Sequence, residues 1–251
     1  MTKSLTYIAS SNRSASIGNK IYNLGTLPNG KIRVREADES SFPSESEDAK
    51  FIDGRQLEGE LEAMHFMTER DLQEGDDNGD VIDVMCLYTP EALCGENNEE
   101  TGCNTNNIYF ISTMTEMCEL AMQETNTAFS KSGVLTSVNL VHSGLIASDY
   151  IEEELGTDVV ANLRTSDDTI HQHGVYQNVR ALRDEYNADL VTLIVNKVAM
   201  LSGGNTVPVC GVGSVFNGNS NSAYSAVLRG CATGYYSIAH EIGKGHFCNS
   251  W

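Results

Sequence analysis

The sequence has 251 residues, of which 40% are apolar, and a formal net charge of −19 at pH 7. This length and apolar content suffice for one well-packed core, or for a core and a small additional region. A strongly acidic chain repels nucleic acids and anionic membranes, so we expect neither as a partner. No run approaches the roughly 18 apolar residues of a membrane-spanning helix, so we expect no membrane span.

The first 80 residues predict a small, polar region with a β-hairpin. Residues 19–36 alternate around the turn sequence Leu27-Pro28-Asn29-Gly30, and after it Ile32 and Val34 face one way and the basic residues 31, 33 and 35 the other, which is typical of a hairpin. Residues 36–80 hold 16 acids and 3 bases, a net charge of −13, as expected of solvated acidic linkers. We therefore divide the chain into residues 1–80 and a main domain over residues 81–251.

The main domain shows strands that alternate with helices. Such alternation indicates a mainly parallel sheet covered by helices, the α/β class. Gly211 and Gly213 would weaken a strand over residues 210–216 and make a central position in the sheet unfavourable. We therefore predict an edge strand there. The pattern further predicts strands at 81–88, 136–142, 189–195 and 224–228, helices at 107–132, 156–164 and 174–186, and a turn-rich loop at 203–207.

A metal-site motif lies near the end of the chain. In the zinc-peptidase pattern H-E-x-x-H, two histidines four residues apart project from one side of a helix and hold the metal. The glutamate between them stays off the metal and takes a proton from the metal-bound water. His240 and Glu241 match the first two positions of this pattern, behind Ser237 as the predicted N-cap of the helix. We therefore predict zinc as cofactor, His240 as a ligand and Glu241 as general base.

The second half of the motif departs from the pattern. Position +4 is Lys244, whose ammonium group has no lone pair for a metal near neutral pH. His246, at +6, is the nearest other imidazole, but on an unbroken helix it lies about 240° around the axis from His240. Gly243 and Gly245 would allow the chain to leave the helix and bring His246 back. His246 is on this ground our candidate for a second zinc ligand.

The seven cysteines all follow residue 80, and none forms a C-x-x-C pair. Cys94 and Cys103 bracket a polar loop that a disulfide could close, and Cys210 with Cys231 is a plausible second bridge. Cys86 and Cys118 lie in apolar stretches, which favours buried thiols. Three further histidines have ordinary structural interpretations: His142 ends a predicted strand, and His171 and His173 lie in a polar loop.

Several sequence blocks follow one another along residues 80 to 243: Asp83 to Pro90, Glu124-Thr125-Asn126, Leu182 to Val191, and Gly230 to Ser237 leading into Ala239-His240-Glu241-Ile242. In this order they resemble the reprolysin-like, peptidyl-Asp-type metalloendopeptidases, which belong to the metzincins. The resemblance implies a zincin-like upper subdomain, an antiparallel edge strand that binds the substrate backbone, and an extracellular protein acting on proteins or peptides. Residues 1–80 would then be prosegment-like, although no signal peptide is visible in them.

Departures from the family pattern leave two functional hypotheses. In the metzincin pattern H-E-x-x-H-x-x-G-x-x-H, Lys244, Phe247 and Ser250 occupy the positions of the second histidine, the glycine and the third histidine. The chain stops at Trp251. The expectation is a truncated domain, arising either from a slip in the sequence or from a genuine degenerate copy. The chain is accordingly either a zinc endopeptidase, with little or no activity as written, or a non-catalytic peptide-binding relic of one.

Overall fold

A five-stranded sheet is built from strands that lie between residues 81 and 228. The computed structural model describes residues 13–17, 20–26, 32–37, 80–97, 103–164, 175–202, 204–214 and 223–247. The strands of the sheet are β4 (Val81–Tyr88), β5 (Ser137–Leu145), β6 (Leu190–Val195), β9 (Gly211–Gly213) and β10 (Tyr224–Leu228). The strand order is β5-β4-β6-β10-β9, parallel except for β9, which pairs antiparallel with β10. The predicted mainly parallel sheet with an antiparallel edge strand is confirmed.

Helices cover both faces of this sheet, as the α/β class requires. The helices are α1 (Pro90–Glu96), α2 (Ile108–Lys131), α3 (Gly156–Arg164), α4 (Val175–Glu185) and α5 (Ser237–Phe247). One buried cluster joins the sheet to α1, α2 and α5, and a second joins its other face to α3 and α4. Inward-facing residues therefore alternate along each central strand: Val84 and Cys86 belong to the first cluster, and Met85 and Leu87 to the second.

Helix α1 is an element that the sequence analysis missed. Thr89 is its N-cap and accepts a hydrogen bond from the Ala92 N–H at 3.0 Å. Pro90 occupies the first helical position, where its missing N–H and fixed φ are favourable. The pair Thr89-Pro90 was thus a start signal for a helix of only seven residues.

The amino-terminal residues form a separate three-stranded antiparallel sheet of β1 (Arg13–Ile17), β2 (Lys20–Thr26) and β3 (Ile32–Ala37). Strands β2 and β3 confirm the predicted hairpin, with Thr26 paired to Ile32 next to the turn. Strand β1 was not predicted. None of the described helices is long and apolar enough to cross a membrane.

Residues 203–207, predicted as a turn-rich loop, lie largely in a hairpin. Strands β7 (Ala199–Ser202) and β8 (Asn205–Pro208) pair antiparallel, and Gly204, with φ of +83°, lies in the turn between them. The prediction of a loop was therefore wrong for most of this segment. Only glycine adopts such a φ readily, so the turn that suggested a loop is the turn of the hairpin.

Three disulfides lie in the described part of the chain. Cys94–Cys103 and Cys210–Cys231 confirm the two predicted bridges, each with 5.6 Å between Cα atoms. The third joins Cys86 of β4 to Cys118 of α2, with Cα atoms 6.0 Å apart, so the prediction of two buried thiols was wrong. Both side chains are fully buried and meet where α2 packs on the sheet. The proposed truncation and Cys248 fall outside the described residues.

Candidate active site

The segment that leads into α5 is fixed against helix α2. The backbone N–H of Gly234 donates to the buried Glu124 carboxylate at 2.8 Å. Gly234 and Tyr236 have left-handed φ angles of +82° and +62°, which a non-glycine residue such as Tyr236 rarely adopts. The Glu124 contact thus ties α2 to the tight turn from which α5 starts.

Helix α5 begins at Ser237 itself, so the prediction of Ser237 as N-cap was wrong. The first backbone hydrogen bond of the helix runs from the His240 N–H to the Tyr236 carbonyl at 2.9 Å, which places Tyr236 at the cap position. The Ser237 hydroxyl is buried and has no hydrogen-bond partner among the described residues.

His240 is half-buried and faces the end of α2. It lines an open cavity of about 470 Å³ on the surface. The cavity is mostly aromatic and apolar, because Phe129 of α2 and the two tyrosines before α5 contribute to it. The residues that line it are Ala128, Phe129, Ser132, Tyr235, Tyr236, Ala239 and His240.

Glu241 faces the edge strand β9. Its side chain is only 7% exposed and lies against Gly211 and Gly213. A Cβ atom added to Gly211 would come within 2.9 Å of the Glu241 Oε1, and one added to Gly213 within 2.7 Å of Oε2. Glu241 also lines a narrow cavity of about 20 Å³ that includes Thr192 and Ser225, whose hydroxyls are 3.0 Å apart. The carboxylate is thus held beneath the outermost strand of the sheet.

His240 and Glu241 therefore line different cavities. Consecutive residues of an α-helix project about 100° apart, which here directs His240 towards α2 and Glu241 towards β9. The described residues contain no group of three or more His, Cys, Asp or Glu side chains placed to hold a metal ion. Of the two zinc ligands predicted from the sequence, His240 is the one whose side chain lies within the described set.

Helix α5 continues through Phe247. The chain therefore does not leave the helix at Gly243, which was the route we considered for bringing His246 back to His240. The side chains of Lys244 and His246 lie outside the described set. The assignment of His246 as a ligand stays a prediction.

The remaining histidine in the described ranges lies at the opposite edge of the sheet. His142 of β5 stacks on Tyr186, with ring centroids 4.1 Å apart. Burial lowers the pKa of His142, and the charge of nearby Glu185 partly offsets that effect. This position separates His142 from the candidate site. His65, His171 and His173 lie outside the described residues.

Sequence reasoning had missed the structural roles of Glu124, Gly211 and Gly213. Glu124 was visible as an acid inside the apolar stripe of α2, in a block shared with the resembled family. The two glycines were interpreted as weakening a strand. Their spacing of two residues, which places both on one face of a strand, was the available signal that something packs closely there.

Comparisons with known proteins found relatives that are named metalloendopeptidases. A peptidyl-Asp metalloendopeptidase of Stenotrophomonas maltophilia is 30% identical over 131 residues, 52% of this chain and 27% of the relative. One of Pseudomonas aeruginosa is 32% identical over 172 residues, 64% of this chain and 24% of the relative. This chain is similar to metalloendopeptidases. It spans about a quarter of the length of these curated relatives.

A third relative, the peptidyl-Asp metalloendopeptidase of Xanthomonas campestris pv. campestris, is 28% identical over 130 residues, 52% of this chain and 27% of the relative. No protein-family model matches the chain. Among solved structures, a chain from a structure of a chaperone-substrate complex aligns with 66% of this chain and 23% of its own length. Its TM-score of 0.44 and identity of 18% are too low to carry an argument.

Proposed function

We propose that this chain is a metalloendopeptidase domain of the metzincin, reprolysin-like type, which acts on proteins or peptides and whose zinc site is incomplete as the sequence stands. The observation that carries the proposal is the packing of Glu241 on the antiparallel edge strand β9. A general base held beside a strand that can pair with a substrate backbone is the arrangement that peptide hydrolysis needs. The similarity to named metalloendopeptidases supports the same assignment.

Strand β9 supplies the substrate-binding element of this proposal. It is the outermost strand of the sheet order and pairs with β10 on one side. The N–H and C=O groups on the other side of an edge strand are placed to pair with an extended peptide. Glu241 would accept a proton from the attacking water next to that peptide. Its low exposure keeps bulk water away from the carboxylate.

The residues present match a zinc site in part. His240 supplies one imidazole, whereas a catalytic zinc has three protein ligands. Our candidate for a second is His246, but on the unbroken helix α5 it lies about 240° around the axis from His240. Lys244 occupies the position where the resembled family has a histidine. Zinc, when bound, would act as a Lewis acid and lower the pKa of a bound water. We expect weak zinc binding and low activity from the chain as written.

An extracellular location and a division into two regions complete the proposal. The three disulfides in the described part of the chain are typical of proteins from oxidising compartments. Residues 1–80 would be a prosegment-like region and residues 81–251 the catalytic domain.

The second candidate is a non-catalytic domain that binds peptides along β9. Two observations favour it: Lys244 stands at the second-ligand position, and His240 and Glu241 line separate cavities. Such a domain would need the edge strand and no metal.

Metal analysis and a cleavage assay separate the two candidates. The wild type is dialysed against zinc, its metal content is measured, and cleavage of an unstructured protein such as casein is followed at saturating zinc. The peptidase proposal expects slow cleavage that Glu241→Ala abolishes, and a zinc content that falls in His240→Ala. His142→Ala, at the opposite edge of the sheet, is the matched control and should keep both. Retention of peptide without cleavage or zinc would support the binding domain instead.

A further inference from the structure

The face of the edge strand β9 that packs against Glu241 is formed by two glycines and has no side chains. Gly211 and Gly213 are two residues apart, so both turn the same face of the strand towards α5. The residue between them, Val212, points to the other face and is buried in the cluster beneath α3 and α4. Besides the oxygen contacts described above, a Cβ on Gly211 would lie 3.1 Å from the Glu241 Cγ. Glu241 therefore occupies the space that two absent side chains leave.

Strand β9 is held at both ends and cannot easily move away from α5. At its start, Cys210 is bonded to Cys231, and the Leu228 N–H donates to the Cys210 carbonyl at 2.8 Å. At its end, the backbone N–H and the hydroxyl of Ser214 both donate to the Tyr224 carbonyl, at 3.0 and 3.1 Å. A side chain added at either glycine would consequently displace the carboxylate rather than the strand.

We propose that Gly211 and Gly213 are positioning residues that fix the Glu241 carboxylate against the edge strand. The catalytic role of this positioning rests on the proposed function, in which Glu241 is the general base. Because Glu241 packs directly against β9, the strand would fix the distance between the carboxylate and a peptide paired to β9. Any residue other than glycine at 211 or 213 would move the carboxylate and leave the peptide-binding edge in place.

A double-mutant cycle tests the contact without any activity. Gly211→Ala and Gly213→Ala are each made in the wild type and in Glu241→Ala, which removes the Cγ and both oxygens. The matched control is Gly230→Ala, because a Cβ at Gly230 would meet nothing within 4 Å. Thermal unfolding is measured for all variants. We expect each alanine to lower the Tm of the wild type by roughly 2–8 °C and to have less than half that effect in Glu241→Ala.

Gly230→Ala should behave alike in both backgrounds. Equal losses in the two backgrounds at Gly211 and Gly213, or no loss in the wild type, would overturn the proposal. Nuclear Overhauser effects between the Glu241 side chain and the Hα protons of Gly211 and Gly213 give a second measurement. Their absence from the wild-type spectrum would also overturn it.

The positioning role is tested by kinetics at saturating zinc. We expect Gly213→Ala to lower kcat by roughly 10- to 100-fold, with KM changed less than about threefold, because a displaced base slows the reaction of a substrate that still binds. A raised KM with unchanged kcat would show that the glycines serve substrate pairing and would refute the positioning role. A wild type without peptidase activity would count against the proposed function, whereas the thermal cycle would still decide the placement of Glu241.

Discussion

The Glu124 carboxylate accepts the backbone N–H of Gly234 at 2.8 Å and so joins helix α2 to the turn that starts α5. Both groups are buried, and an N–H that loses its acceptor in such a place costs about 1–3 kcal/mol. Glu124→Ala should therefore lower the free energy of unfolding by about 1–3 kcal/mol. Denaturant unfolding measures this loss, and amide hydrogen exchange at residues 234–240 should accelerate.

Glu124→Gln keeps a carbonyl acceptor and should lose less stability than Glu124→Ala. Glu119 is exposed on the same helix, so Glu119→Ala is the matched control and should change stability by less than about 0.5 kcal/mol. Equal effects of Glu124→Ala and Glu119→Ala would show that the contact with Gly234 contributes nothing.

The Cys86–Cys118 bridge should stabilise the domain more than the Cys94–Cys103 bridge. The two bridges span sequence separations of 32 and 9 residues, for which loop entropy alone predicts about 3.7 and about 2.6 kcal/mol. Cys86→Ala/Cys118→Ala also leaves a cavity in the core, which adds to its loss. Thermal unfolding of the two double variants compares them directly. A smaller loss for Cys86→Ala/Cys118→Ala would contradict the prediction.

Much of the fold could be predicted because the periodicity of single segments suffices for it. Strand β4 was predicted with its bounds, and α2 to within one residue at each end, since an apolar strand and a stripe at helical spacing are local patterns. The Cys86–Cys118 bridge could not be predicted in this way. It depends on how α2 packs on β4, and burial alone does not distinguish a thiol from half of a disulfide.

The candidate site shows the same limit more sharply. The motif identified His240 and Glu241, but their directions depend on how α5 is rotated against α2 and β9. That rotation follows from contacts distant in sequence, such as Glu124 with Gly234 and Glu241 with Gly213. A pattern of residue types contains no information about it until the partners are known.

Glu152 should make stability depend on pH. It accepts hydrogen bonds from the backbone N–H groups of Asn196 and Lys197, at 2.6 and 2.9 Å, and from the Thr89 hydroxyl. Burial raises the pKa of Glu152 above its usual 4.5; the charge of Glu91 adds to this, and the hydrogen bonds partly oppose it. The folded state therefore binds the proton more tightly than the unfolded state, and this contribution to stability is lost as the pH rises through the folded pKa.

Glu152→Gln has no such proton to lose. The wild type should accordingly lose stability relative to Glu152→Gln as the pH rises above 4.5, which thermal unfolding of both proteins from about pH 4 to about pH 7 measures. Glu119→Gln, on the exposed face of α2, controls for the loss of one charge. A difference between wild type and Glu152→Gln that grows with pH in favour of the wild type would contradict the prediction.

Lys244→His should improve the zinc site. Because α5 continues through Phe247, residues 240 and 244 lie one turn apart on one side of the helix, where two imidazoles can hold one ion. The variant should then bind zinc more tightly than the wild type, and saturating zinc should raise its Tm by roughly 5–10 °C. The wild type should shift by less than about 2 °C, and a chelator should reverse both shifts.

Lys244→Gln is the matched control, since it removes the positive charge without adding a ligand. An equal shift in Lys244→Gln would mean that the lysine acts only by its charge, and no shift in Lys244→His would mean that α5 does not direct the two positions towards a common metal.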